Sequence, residues 1–251
     1  MCLYVAAVPP LDPGARAVLG RGWVGHTESW PTTSIVPSKH HRHERWRSLR
    51  ALAEDVPLFL TAPLYRRWHL RWGATEAEVS TSLPGDELQP RAQFRATRAI
   101  TIAAAPEVVW PWLVQVGCRR AGWYSNDLMD NLGHPSSPEI LDEFQTLEVG
   151  QWVPMSAFGE PTEFTAFKVA DFDLHRWLLW SKPESSWVWE LTPLADGATR
   201  LVSRVHAARD WRKPGTALLG VMLMEFGDFA MFRRMLLGIK ERAEHAARTG
   251  R

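Results

Sequence analysis

The sequence predicts an α+β fold in which a curved antiparallel sheet wraps around a long C-terminal helix and encloses a cavity. Three observations predict it. A strand pattern over residues 94–102 leads directly into an apolar helix that begins near Pro106, a residue suited to a first helical turn. Further strand patterns follow, and Asp196-Gly197 between the last two is typical of an antiparallel hairpin. The chain then ends in a long, mostly apolar helical pattern.

Composition limits the classes of function. A chain of 251 residues, 45% of them hydrophobic, can bury a sizeable core. The 29 Lys and Arg residues balance 28 Asp and Glu residues, so we expect no nucleic-acid partner. Cys2 and Cys118 lie far apart without metal-ligand spacing, and the first residues lack a secretory pattern. We therefore expect a cytoplasmic protein with neither a disulfide framework nor a zinc site.

We divide the chain into an N-terminal arm (1–48), a helical connector and lead-in (49–93) and a main domain (94–248). The arm is rich in Pro, Gly, Ser and Thr and shows no regular apolar period, which is typical of a mobile segment. Its basic run at 39–47 includes three histidines. We interpret this run as solvated rather than metal-binding, because no predicted scaffold would hold the imidazoles in place.

The connector has apolar residues at helical spacing over 49–60, although Pro57 and Pro63 must bend or end that helix. Residues 65–72 interleave arginine and tryptophan. Our main interpretation is a helix that packs its tryptophans on the domain while its arginines reach into water. The alternatives are a weak peripheral membrane contact and a groove for single-stranded nucleic acid. The apolar run at 56–64 is too short to span a bilayer.

Strand patterns dominate the middle of the main domain. The predicted strands cover residues 94–102, 151–155, 163–170, 177–180, 187–194 and 199–206. The clearest alternation places Trp187, Trp189 and Leu191 on one face, opposite Val188 and its neighbours at even positions. This pattern predicts a sheet with one buried side.

The final helix is predicted over residues 214–247. Residues three or four apart form one stripe along it: Leu218, Met222, Glu225, Phe229, Phe232, Leu236 and Ile239. Glu225 is the exception, because a carboxylate among Met and Phe side chains needs a cation, a proton or a polar cavity. Charged residues make this helix a poor membrane span.

Six segments resemble those of a known superfamily: RAITI (98–102), APEVVWPWLVQ (105–115), GWYS (122–125), MLLGIK (235–240), LRWGAT (70–75) and PGDEL (84–88). They resemble the SRPBCC superfamily of START and Bet v 1-like proteins, in particular bacterial members labelled polyketide cyclase or dehydrase. The resemblance covers residues 64–247 and implies a helix-grip fold around an apolar cavity. It implies no single activity, because the superfamily includes lipid carriers, hormone receptors, chaperone activators and ring-forming enzymes. Three alanines at 103–105 depart from the acidic residue and prolines of many relatives, which weakens the helix cap.

One predicted function is the binding of a hydrophobic or aromatic small molecule, such as a lipid or a polyketide, in the internal cavity. The candidate ligand-binding residues are Trp112, Trp123, Trp189, Arg204, Met222 and Phe229. Glu225, Tyr124 and Arg204 would orient the polar end of the ligand.

The alternative is a cyclase or dehydratase-like enzyme in which Glu225 or Asp127 is the general base and Tyr124 or Arg204 polarises a carbonyl. Burial would raise the pKa of Glu225 toward the useful range. A structural ion pair between Glu225 and Arg204 is equally compatible with the pattern. The sequence contains no phosphate-binding glycine loop, no His-Glu-x-x-His and no Gly-x-Ser-x-Gly motif, so we expect neither a cofactor nor a metal. Whether the protein is an enzyme stays open at this point.

Overall fold

The computed structural model describes residues 39–209, 211, 214–222, 224 and 227–250. The arm up to residue 38 and the candidate carboxylate of Glu225 lie outside the described residues. The helices are α1 (Lys39–Thr61), α2 (Arg66–His69), α3 (Glu76–Ser80), α4 (Pro106–Val114), α5 (Asp127–Asp130), α6 (Pro214–Met222) and α7 (Asp228–Thr249). The strands are β1 (Phe94–Ile102), β2 (Trp152–Pro154), β3 (Ala166–Asp173), β4 (Trp177–Lys182), β5 (Ser185–Pro193) and β6 (Thr199–Ala207). Helix α1 thus begins before the predicted onset at residue 49.

The described strands form one antiparallel sheet in the order β1-β6-β5-β4-β3-β2. The observed bounds of β1 are those that the sequence predicts. The predicted Asp-Gly hairpin is also confirmed: the amide of Leu194 donates to the carbonyl of Ala198 at 2.8 Å, and Gly197 has a φ of 80°. Glycine suits this turn because it adopts a positive φ without a steric penalty.

Helix α7 packs across the inner face of the sheet. Phe232 of α7 stacks on Trp189 with 5.8 Å between ring centroids and lies 5.3 Å from Trp187. Leu236 and Ile239, one and two turns further along, are fully buried. This arrangement confirms the helix-grip architecture that the resemblance implies.

The predicted C-terminal helix is not uniformly α-helical, because the described residues between α6 and α7, Met224 and Gly227, have π-helical conformation. Helix α7 begins at Asp228, whose Oδ2 lies 2.7 Å from Nη1 of the fully buried Arg98 in β1. A carboxylate in the first turn stabilises a helix start because the free amides there carry partial positive charge. The ion pair therefore ties the first turn of α7 to β1.

The prediction of one buried sheet side is also wrong, because the lead-in covers the outer face. Leu83 of the lead-in joins a second core cluster with outward-facing Leu179, Val188 and Val202. The lead-in also pairs with the free edge of β1, where the amide of Ala99 donates to the carbonyl of Trp72 at 3.1 Å. Such pairing protects an edge strand from other chains.

An ion pair fastens α3 of the lead-in to the outer face. Arg200 of β6 donates from Nε to Oε1 of Glu78 at 2.7 Å and from Nη2 to Oε2 at 3.0 Å. The hydrogen bonds from Arg200 are the main reason why the pKa of Glu78 falls from 4.5 to about 2. Because the folded-state pKa is depressed, this stabilisation is fully present above pH 4.5 and is lost as the pH falls toward 2.

We expect the difference in unfolding free energy between the wild type and Glu78→Gln to shrink as the pH falls from 4.5 toward 2. Urea unfolding at a series of pH values measures this difference. Glu76→Gln is the control, because the Glu76 side chain is 83% exposed in its pair with Arg71 and its loss should cost little. A Glu78→Gln difference that stays constant over this pH range would contradict the prediction.

Candidate functional site

The tryptophans predicted to line a cavity pack against one another. Trp189 has no exposed surface, and its ring stacks on Trp187 with 4.8 Å between centroids. Trp123 stacks on the other side of Trp187 at 6.1 Å, and Trp180 meets Trp187 edge-on at 5.3 Å. These rings and Phe232 occupy the space between the sheet and α7 where the sequence predicts a ligand. In this conformation neither Trp123 nor Trp189 offers surface to a small molecule.

Phe229 and Met222 lie apart from this cluster of rings. Phe229 is 1% exposed and meets Trp68 of the connector edge-on, with 5.1 Å between centroids. Met222, at the end of α6, is 53% exposed. Of these two predicted ligand contacts, Phe229 therefore lies beneath the connector and Met222 lies at the protein surface.

The predicted residues Tyr124 and Asp127 are brought together by Ser136. Ser136 Oγ donates to Oδ1 of Asp127 at 2.5 Å and accepts from the backbone amide of Tyr124 at 3.1 Å. Tyr124 has a φ of 53°, which is uncommon for a residue other than glycine. The contacts of Ser136 hold the chain in this conformation.

The hydroxyl of Tyr124 faces a different group. It accepts a hydrogen bond from Nε2 of Gln115 at 2.7 Å, while Trp112 packs edge-on at 6.2 Å and the Arg242 guanidinium lies 4.3 Å from the ring centroid. Burial is the largest influence on the hydroxyl and raises the pKa of Tyr124 to about 12. Tyr124 is therefore neutral near pH 7, and its hydroxyl is bonded to Gln115 while the Asp127 carboxylate is bonded to Ser136.

Arg204 lies on the opposite face of the sheet from α7, which corrects the expectation that it faces a shared cavity. Successive strand residues point to opposite faces, and Arg204 pairs in register with outward-facing Val188. Its guanidinium is 2.6 Å from Oδ2 of Asp86 in the lead-in. Arg204 is thus paired on the outer face, and its predicted partner Glu225 lies outside the described residues.

A groove opens at the end of the sheet where α4 begins, with a volume of about 620 Å³. We call it the end groove. It is lined by Ala105, Pro106, Glu107, Leu174, His175, Arg176, Trp177, Glu190, Leu191, Thr192, Pro193, Gly197 and Ala198. Its volume lies within the range of small-molecule sites, which is roughly 300–1,000 Å³.

The β3–β4 turn forms one wall of the end groove. The carbonyl of Arg176 accepts a hydrogen bond from the amide of Leu191 in β5 at 2.7 Å. His175 has a φ of 61°, and its ring meets buried Trp110 of α4 edge-on at 5.9 Å. The turn is therefore tied both to the sheet and to α4, so that this wall is held in place.

Two carboxylates give the end groove its charge. Glu107 is exposed in the first turn of α4, and Glu190 is half-buried near the end of β5. Burial raises the pKa of Glu190, with Arg204 and Arg176 opposing that effect. Arg176 itself is 2.5 Å from Oδ2 of Asp173, so its charge is already compensated. The groove has a net negative charge.

Apolar surface lies beside these carboxylates. Leu174 is 58% exposed, and Trp177 is half-buried at the start of β4.

Sequence reasoning missed this site because its walls come from four separate segments that only the fold brings together. The available signal was the polar Asp173–Arg176 turn between two strands, which carries three ionisable side chains in four residues.

Metal and membrane features were searched within the described residues. No group of three or more His, Cys, Asp or Glu side chains in this part of the chain could hold a metal ion. None of the helices described combines the length and the hydropathy that a bilayer span requires.

No family model and no curated protein matches the sequence. Among solved structures, the chain is similar to the self-sacrificing resistance protein CalC from Micromonospora echinospora, with 11% identity over 61% of this chain and 96% of CalC and a TM-score of 0.40. The Polyketide_cyc-like protein Cgl2372 from Corynebacterium glutamicum has 18% identity over 62% of this chain and 90% of its own, with a TM-score of 0.32. Protein MLL2253 from Mesorhizobium loti has 13% identity over 61% and 98%, with a TM-score of 0.35. Similarity of this size supports no statement about ligand or activity.

Proposed function

We propose that this protein is a small-molecule binding protein and that its ligand occupies the end groove. The observation that carries the proposal is a rigid groove in which Glu107 and Glu190 lie beside the apolar surface of Leu174 and Trp177. The tryptophans of the internal core are already in contact with one another, so the groove replaces the internal cavity as the binding site.

The chemistry of the end groove favours a cationic amine attached to an apolar or aromatic body. A carboxylate that is partly removed from water, such as Glu190, gains more from an ammonium partner than an exposed carboxylate does. The indole of Trp177 and the side chain of Leu174 would contact the apolar body. This amine class is narrower than the lipid or polyketide ligand that the sequence predicts.

We do not build the proposal on the cyclase alternative, since its candidate base Glu225 lies outside the described residues and its two carbonyl-polarising candidates lie on opposite sides of the sheet. Tyr124 is bonded to Gln115 on the inner side of the sheet, whereas Arg204 lies on the outer side. Asp127 is engaged with Ser136. A general base and a carbonyl-polarising group must reach the same substrate, and Arg204 is separated from Tyr124 by the sheet.

We expect 2-phenylethylamine to bind the end groove, and 2-phenylethanol to bind at least tenfold more weakly, since charge-assisted hydrogen bonds contribute roughly 1.5–3 kcal/mol. Ligand-observed NMR titrations of the full chain measure both affinities. Glu190→Gln should weaken amine binding about tenfold and leave alcohol binding unchanged. Because protonation removes the charge of Glu190, amine binding should also weaken as the pH is lowered.

Glu148→Gln is the matched control, since Glu148 is exposed outside the groove. It should leave the affinity for the amine unchanged. Equal binding of the amine and the alcohol, or equal effects of Glu190→Gln and Glu148→Gln, would contradict the proposal.

A further inference from the structure

An exposed apolar stripe runs along the connector. Val56, Leu60, Leu64 and Trp68 are spaced four residues apart, and they are 44%, 70%, 78% and 53% exposed. We call these four residues the connector stripe. It extends from the end of α1 through a 3₁₀ turn to α2. Isolated exposed apolar residues are common on proteins, but four large ones within thirteen residues are an unusual concentration of exposed apolar surface.

The connector stripe lies on a segment that is fastened to the domain. Asp55, 4% exposed, forms an ion pair with Arg234 of α7. At the other end, the Trp68 ring packs edge-on against Phe229 of α7. The stripe is therefore presented to its surroundings by a docked element.

The charged side chains within the stripe segment are basic. Residues 56–75 contain three arginines and no Asp or Glu, and the flanking carboxylates of Glu54, Asp55 and Glu76 are each in an ion pair. Arg71 is paired with Glu76 at 2.6 Å, and Arg67 is exposed next to Trp68 of the connector. Tyr65 is itself 62% exposed. Apolar, aromatic and basic side chains thus share one surface.

We propose that the connector stripe docks on an anionic lipid membrane. Amphipathic segments that lie in the membrane interface combine an apolar face with Trp and with flanking basic residues. The stripe would enter the interface while Arg67 contacts lipid headgroups. An anionic bilayer provides negative charge that complements the arginines of this segment. Unlike a protein partner, it does not need a surface shaped to fit a narrow row of side chains. The contact lies along the surface and does not span the bilayer.

Co-sedimentation of the full chain with phosphatidylcholine vesicles, with and without phosphatidylglycerol, tests the proposal. We expect binding to the anionic vesicles and a decrease with added salt. Arg67→Gln should lower the partition coefficient about fivefold, and Leu64→Ser about tenfold. Both side chains are exposed, so both variants should keep the thermal unfolding midpoint of the wild type.

The control variants are Arg248→Gln, near the far end of α7, and Val149→Ser, beside the opposite edge of the sheet. Val149 is 64% exposed, so its substitution matches Leu64→Ser in chemistry. Neither control should change vesicle binding. Failure of the wild type to bind anionic vesicles would overturn the proposal, as would equal effects of Leu64→Ser and Val149→Ser. The membrane proposal would also be overturned if the stripe variants bound vesicles like the wild type but lost self-association. The stripe would then be a protein contact.

Discussion

Replacing Trp189 with alanine is expected to lower the free energy of unfolding by about 3–5 kcal/mol. Trp189 has no exposed surface and packs against both Trp187 and Phe232, so that its removal leaves a cavity between the sheet and α7. Cores of this density relax only partly around such a cavity. Urea unfolding followed by circular dichroism measures the loss without relying on tryptophan fluorescence. Added indole should restore part of the stability by occupying the cavity.

Two phenylalanine variants provide the control for this prediction. The indole nitrogen of Trp187 donates to Oγ of Ser203 at 2.8 Å, whereas that of Trp189 has no hydrogen-bond partner within the part of the chain described. Trp187→Phe should therefore cost about 1 kcal/mol more than Trp189→Phe, which loses no hydrogen bond. If Trp189→Ala cost less than 1 kcal/mol, the rings would not form a packed core, and the space would again be available for an internal ligand.

The strands of the main domain could be predicted because their signal is local. The two-residue alternation around Trp187 and Trp189 marks β5, and the turn residues Asp196 and Gly197 join it to β6. The attachment of α7 to β1 could not be predicted in this way. It involves the pairing of Asp228 with Arg98, which are far apart in the sequence and meet only in the folded chain.

The covering of the outer face was missed for a similar reason. Alternation separates the residues of a strand into two faces but does not say what packs on the second face. Val188 and Val202 indicate an apolar outer surface, yet the segment that covers it is the irregular lead-in around Leu83. The sequence of that segment has no apolar periodicity from which its position in the fold could be predicted.

The candidate site was the least predictable feature. Inward-facing Trp and Phe residues have the same sequence pattern whether they line a cavity or fill it, because the pattern records polarity and not volume. Trp189 and Phe229 were therefore correctly expected to be apolar and inward-facing, while the space around them was not deducible. The lining of the end groove includes both Glu107 of a helix start and Glu190 of a strand, a combination that no local spacing encodes.

Removal of the Arg204 guanidinium is the second prediction with a large expected effect. Arg204 is 5% exposed, and all five of its N–H groups have acceptors. These acceptors are Thr97 Oγ1, Asp86 Oδ2 and the carbonyls of Thr81, Glu78 and Val79. Arg204→Ala would leave the Asp86 carboxylate without this cation and remove a donor from each carbonyl. We expect a loss of about 3–5 kcal/mol in the free energy of unfolding.

Arg204→Ala should also destabilise the lead-in locally, in addition to lowering the free energy of unfolding. Hydrogen exchange over residues 76–88 should accelerate in Arg204→Ala, since the guanidinium joins this part of the lead-in to the sheet. Arg204→Lys keeps the charge but has three donors in place of five, so its stability should lie between those of the wild type and the alanine variant. Arg50→Ala is the control, because its pair with Glu54 is exposed and should contribute less than about 1 kcal/mol.

Asp86→Asn separates the charge of the pair from its geometry. Asparagine keeps an oxygen acceptor of similar shape, so most of the Arg204 hydrogen bonds can persist while the attraction between full charges is lost. Because Arg204 is buried and would then lack this counter-charge, Asp86→Asn should cost more than Arg50→Ala but less than Arg204→Ala. If Asp86→Asn and Arg204→Ala were equally destabilising, the ion pair alone would account for the contribution of Arg204, and its three carbonyl acceptors would contribute nothing measurable.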